Sequence, residues 1–102
     1  MAMQKNITTS EGIVSTYHKI NIQKIDWINK VGMVEVWSWI DSNARQANPN
    51  NPVMRKEMYW AGDNFIFTAE GNSTKIAYQS LILARLNDEG IDMNPYTGAT
   101  EI

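Results

Sequence analysis

Side chains alternate with a period of two through residues 33–40, with Val34, Val36, Ser38 and Ile40 on one side and Met33, Glu35, Trp37 and Trp39 on the other. Only an extended strand separates neighbouring residues in this way. Because both sides carry large apolar groups, the strand is expected to be central, or to have its second face covered by something other than its own core. A strand of this kind needs hydrogen-bonded neighbours, and two further runs supply them.

Residues 13–28 are rich in β-branched and aromatic side chains, with His18, Ile20 and Ile22 on one face and Tyr17, Lys19 and Asn21 on the other. The apolar positions then change parity, since Ile25 and Trp27 are odd where Ile20 and Ile22 are even. A period-two element changes face only through an inserted residue, so a bulge or bend is predicted around Gln23 and Lys24. Residues 53–60 alternate again, with Met54, Met58, Trp60 and the stem of Lys56 opposite Val53, Arg55, Glu57 and Tyr59. Ala61-Gly62-Asp63-Asn64 reads as a turn into residues 65–69, so a hairpin is expected there. Ile7-Thr8-Thr9, before the Ser10-Glu11-Gly12 turn, reads as a short edge strand or an arm.

Residues 41–52 have no apolar periodicity and are dense in Asn and Pro, which predicts a long loop that either contacts something or moves. After Gly71-Asn72-Ser73-Thr74, a run of potential N-caps, the period becomes helical. Ile76, Ala77, Ser80, Leu83 and Ala84 form one stripe, and the helix is expected to run from about residue 73 to 88 with Gly90 as its stop. Tyr78, Leu81 and Ile82 widen the apolar surface beyond what one sheet face covers. The helix must be wrapped either by its own chain or by a partner.

These elements define an α+β fold: an antiparallel sheet of about five strands, or a small sandwich, with one C-terminal helix packed on it. At 102 residues there is no composition break, so residues 1–90 are expected to form a single domain with a short N-terminal arm. Residues 91–102 read as an extended tail across the helix or across a neighbour.

Composition removes several function classes. The formal net charge is −2 and the lysines stand singly, with only Arg55 and Lys56 adjacent, which disfavours nucleic acid and a polybasic membrane contact. The absence of cysteine removes disulfides, thiolate metal sites and a cysteine nucleophile. Residues 1–6 lack the apolar run of a signal peptide, and no stretch reaches membrane-spanning length. His18 is the sole histidine and has no acid beside it in sequence, which leaves any triad one candidate base, and no second zinc-type ligand stands at motif spacing, so a structural role is expected for it. The acidic run at residues 88–92 lacks the alternating ligands of a calcium loop. No catalytic residue, metal site or cofactor is expected.

The aromatic set is the most suggestive feature: Trp27, Trp37, Trp39 and Trp60 with Tyr59, Phe65 and Phe67. Such residues serve as core, as interface anchors, or as stacking platforms for sugars.

The order of features, from Ile7-Thr8-Thr9-x-x-Gly12 through Tyr17-His18-Lys19-Ile20 opening a long strand, two aromatic-rich strands, and Ala77-Tyr78-x-x-Leu81 in a closing helix, resembles the small virion proteins of tailed bacteriophages. That resemblance implies a non-enzymatic, repeated subunit of the tail, baseplate or fibre-attachment region. Such a subunit would be made in the host cytoplasm, located in the virion, and partnered by other virion proteins and by copies of itself as a homo-oligomer. The side chains expected to meet neighbours are Trp37, Trp39, Tyr78, Ile82, Arg45, Asn48 and Tyr96. The competing reading is a carbohydrate- or receptor-binding module that stacks ligands on Trp37, Trp39 or Trp60.

Overall fold

The computed structural model describes residues 1–68, 71–83 and 95–102. Strands β1 (Met3–Thr8), β2 (Val14–Asp26), β3 (Val31–Trp39) and β4 (Met54–Ala61) run as an antiparallel meander. A two-residue strand β5 (Thr100–Glu101) returns to pair with β1, and the sheet order is β4-β3-β2-β1-β5. Helix α1 (Ser42–Ala47) lies between β3 and β4, and α2 (Ser73–Ile82) packs on the sheet. The fold is α+β with one sheet rather than a sandwich.

The parity change within β2 is resolved by a bulge. Pairing with β3 runs from Tyr17↔Trp39 to Ile20↔Val36 and resumes at Ile22↔Glu35, so Asn21 is the extra residue. Before it, His18 and Ile20 share the covered face with Ser38 and Val36. After it, Gln23 and Ile25 share that face with Val34 and Gly32. The bulge sits two residues earlier than the sequence suggests, which sends Ile22 to the opposite face beside Glu35. A second irregularity between Gln4 and Ile7 keeps Met3 and Ile7 packed against the covered side.

The hairpin between β2 and β3 closes on Asp26. Its carboxylate accepts from the backbone N–H of Ile28 and of Asn29 and from the Asn29 side chain, at 2.8–3.1 Å, and Lys30 takes a left-handed φ of 53°. The hydrogen bonds from Asn29 hold the Asp26 carboxyl below its ordinary pKa.

The expected hairpin partner of β4 is not a strand. After β4 a 3-10 turn at Gly62–Asn64 turns the chain, and residues 65–68 lie outside the sheet. The physical reason is aromatic packing. Phe67 meets Trp60 edge-on at 5.5 Å and Phe65 at 5.6 Å, and it lies so close to Gly32 that a Cβ there would sit 2.3 Å from the ring. A glycine in β3 therefore makes room for the ring that closes this end of the core.

α2 begins as the sequence suggests, with the Asn72 side chain accepting from Lys75 N at 3.1 Å. Gln23 bonds both Ser73 and Thr74, fixing the first turn to β2. The buried residues are Ala77, Tyr78, Ser80 and Leu81, whereas Leu83 is 68% exposed, so the helix is rolled away from the expected stripe. The expected continuation to residue 88 and the Gly90 stop lie outside the described residues.

The chain's own C-terminal segment wraps the helix. Gly98 N donates to Ile82 O at 3.0 Å, Tyr96 and Ala99 are buried in the core, and Ala2 and Ile102 exchange a pair of backbone bonds at 2.9 and 3.1 Å. Residues 95–102 are thus part of the domain and its sheet, not a separate tail. β1 is likewise a paired strand between β2 and β5, not a free arm.

Candidate interaction surface

One sheet face holds the core with α2, and the other is open over most of its area. On the open face β4 contributes Arg55, Glu57 and Tyr59, which stand opposite Trp37, Glu35 and Met33 of β3. Lys24, Ile22, Lys19 and Tyr17 of β2 stand opposite Met33, Glu35, Trp37 and Trp39. Met33, Glu35 and Trp37 are half-buried, Arg55 and Glu57 are exposed, and Tyr59 is 43% exposed.

Local interactions order this surface. The Arg55 guanidinium lies 4.4 Å from the Trp37 ring centroid, a cation–π distance. Trp37 Nε1 donates to Glu35 and the Tyr59 hydroxyl donates to Glu57. The Glu57 carboxylate accordingly raises the pKa of the Tyr59 hydroxyl. Glu35 and Glu57 face each other across the β3–β4 pair, an unfavourable arrangement of like charges.

The 41–52 segment closes one end of the face. Instead of a plain loop it contains α1, whose Asp41 side chain caps Ala44 N at 2.8 Å. The Asn48 carbonyl accepts from Trp39 Nε1 at 3.0 Å, Arg45 lies 6.0 Å from the Trp39 ring, and Tyr17 meets it edge-on at 6.1 Å. Trp39 is consequently only 3% exposed. A hollow of about 130 Å³ lies beside this clasp, lined by Gln4, Thr16, Tyr17, Asp41, Ser42 and Ile102.

The seven side chains expected at interfaces fall into two groups. Trp37, Trp39, Arg45 and Asn48 come together on the open face, where Trp37 and Arg45 are half-buried and Asn48 is exposed. Tyr78, Ile82 and Tyr96 belong to the opposite side. Tyr78 and Tyr96 are sealed in the core and Ile82 packs against it, so these two tyrosines and Trp39 hold the protomer together and are not anchors for a neighbour. In each case the partners are distant in the fold or the chain: Trp39 is clasped by Arg45 and Asn48, the Tyr78 hydroxyl is held by Ile20 and Met1, and Tyr96 packs on His18.

Two of the tryptophans proposed as sugar platforms are also closed. Trp60 is fully buried, Trp39 is clasped, and Arg55 occupies a face of Trp37, so a sugar would have to displace the guanidinium. The exposed tryptophan is Trp27, at the β2–β3 tip beside Ile28, which is 92% exposed, and Val31. Its ring meets Phe65 edge-on at 6.0 Å. Alternation along residues 53–60 already grouped Arg55, Glu57 and Tyr59, but their pairing with Trp37 and Glu35 depends on strand register, which single-strand periodicity does not contain.

His18 is buried between β1 and β3. Nε2 lies 2.7 Å from the Lys5 carbonyl, which can only accept, so Nε2 carries the proton and Nδ1 accepts from Ser38 Oγ at 2.7 Å. Tyr96 packs on the ring edge-on at 5.5 Å. Burial lowers the pKa of His18 and raises that of Tyr96 and Tyr78. This serine and histidine contact is enclosed in the core and works there as a neutral hydrogen-bonded link. Among the described residues no group of His, Asp and Glu is arranged to hold a metal ion, and no helix is long and apolar enough to cross a membrane.

Comparison of the chain with protein families, with curated proteins and with solved structures found no match.

Proposed function

We propose that the chain is a non-enzymatic structural subunit of a tailed-phage particle, a tail, baseplate or fibre-attachment component that acts through protein–protein interfaces with other virion proteins and with copies of itself. The observation that carries this reading is the open sheet face, where ordered aromatic and charged side chains around Trp37 are only half covered by the protomer. At its hairpin end the open face runs on to Val31, and Ile28 and Trp27 are exposed at the same tip. Apolar groups displayed next to oriented charges are the surface composition of a recognition site.

Support from α2 is weaker than its sequence suggests, because the chain's own C-terminal segment covers the helix. The assembly role therefore rests on the open face, the tip and the β4 edge, which among the described residues pairs with β3 alone.

The test is composition and mass. Purified particles are digested and searched for the chain by mass spectrometry, and the isolated protein is sized by light scattering at high concentration. Presence in stoichiometric amounts supports a structural subunit. A protein absent from particles and strictly monomeric ends the proposal.

A further inference from the structure

We infer that β4 is a homotypic edge, pairing antiparallel with β4 of a second copy across a two-fold axis centred on Lys56 to give a continuous ten-stranded sheet. This deepens the assembly reading above and rests on it.

Among the described residues β4 is bonded to β3 alone, and it is eight residues long. The opposite edge, β5, has two residues and offers little to pair with. An edge strand that pairs on one side only presents backbone donors and acceptors to another strand, here over residues 53–59.

The side chains select the partner and the register. With the axis perpendicular to the sheet, both copies keep their cores on the same side, and residues directly opposite one another must share a face. Centring on Lys56 then sets Arg55 opposite the second copy's Glu57 on the open face, twice by symmetry. It sets Met54 opposite Met58 on the covered side and Val53 opposite Tyr59 on the open side. The one unfavourable pair is Lys56 with itself at the axis, where two long stems can diverge.

The neighbouring registers are worse. Centring on Glu57 places that carboxylate against its own copy, beside the Glu35 charges that it already faces. Centring on Arg55 opposes two guanidinium groups and sets Glu57 against Val53. Within the protomer Glu57 has a carboxylate across from it and a tyrosine hydroxyl as its hydrogen-bond donor. In the Lys56-centred register the second copy's Arg55 supplies a cation. The open face would then read Glu35, Glu57, Arg55 and Trp37 across the junction, and the same in reverse.

The experiment uses the full chain and its lack of cysteine. Lys56→Cys places two thiols at the axis, with Cβ atoms on the order of 5 Å apart, and a short thiol-reactive cross-linker should convert it to covalent dimer. Ser10→Cys, exposed in the β1–β2 turn, should give at least about tenfold less. Arg55→Glu and Glu57→Arg should each weaken self-association at least about tenfold, measured by analytical ultracentrifugation with circular dichroism confirming the fold. The double exchange, which restores opposite charges across the axis, should recover it to within about threefold.

Equal cross-linking of the two cysteine variants, or a double exchange no better than the single ones, overturns the edge pairing. So does a wild-type chain that is monomeric at every concentration. If the chain is nevertheless found in purified particles, the edge inference fails and the subunit reading stands. A charge-dependent dimer that is absent from particles gives the reverse.

Discussion

The Tyr78 hydroxyl bridges Ile20 and Met1: it accepts from the Ile20 backbone N–H at 2.9 Å and donates to the Met1 carbonyl at 2.9 Å. Continued from Met3↔His18, the β1–β2 register would set Met1 opposite Ile20. A helix side chain thus takes the place of the next rung of the ladder, joining α2 to two strands through one oxygen. Tyr78→Phe keeps the buried ring but leaves both backbone groups without this partner. The expected loss is roughly 1–3 kcal/mol, read from urea unfolding with an unchanged m-value.

His18 makes stability depend on pH. Burial is the main cause of its lowered pKa, and the nearby Lys5 charge acts in the same direction, while the Lys5 carbonyl opposes them. The unfolded chain therefore takes up a proton near pH 6.5 that the folded chain resists, so this contribution is complete above that pH and is lost as pH falls through the lower folded value. Unfolding free energy should decline from pH 7 to 5, and His18→Gln should flatten that limb. An identical slope in both proteins would sink this assignment.

Gly32 and Phe67 form a size-limited contact. A methyl group at position 32 would run into a ring wedged between Trp60 and Phe65. Gly32→Ala is expected to cost about 1–3 kcal/mol by overpacking, and Phe67→Leu in the same chain should recover part of it. Thermal melts of the two single variants and the double variant measure the coupling.

Trp37 and Trp39 are neighbours on one face with different duties. Trp39, clasped by Asn48 and Arg45, should behave as core, and Trp39→Ala is expected to cost on the order of 3–5 kcal/mol. Trp37, half-buried beneath Arg55, should cost clearly less. Comparable losses in denaturant titrations would show that the open face is more tightly packed than its exposure indicates.

Much of the frame was legible in the order of side chains. Alternation marked β2, β3 and β4, the change of period after Gly71 marked α2, and the parity change from Ile20 to Ile25 required a bulge. The even face of residues 53–60 is the buried one, with Met58 and Trp60 inside. Misreadings fell where periodicity is absent. Asp41 caps a helix too short to show a stripe. Residues 65–68 look like a strand because aromatic residues suit sheets, yet their rings are needed on the sheet's surface.

By itself the sequence determined the antiparallel sheet, its insertion and its packed helix, because each follows from the direction in which successive side chains leave the backbone. Only the tertiary structure decided which aromatic residues stay available. Tyr78, Tyr96 and Trp39 are enclosed because segments distant in sequence fold over them, and Trp37 remains half covered because none does. Burial of a ring depends on what the rest of the chain places above it, a non-local property that no period along one strand or helix records.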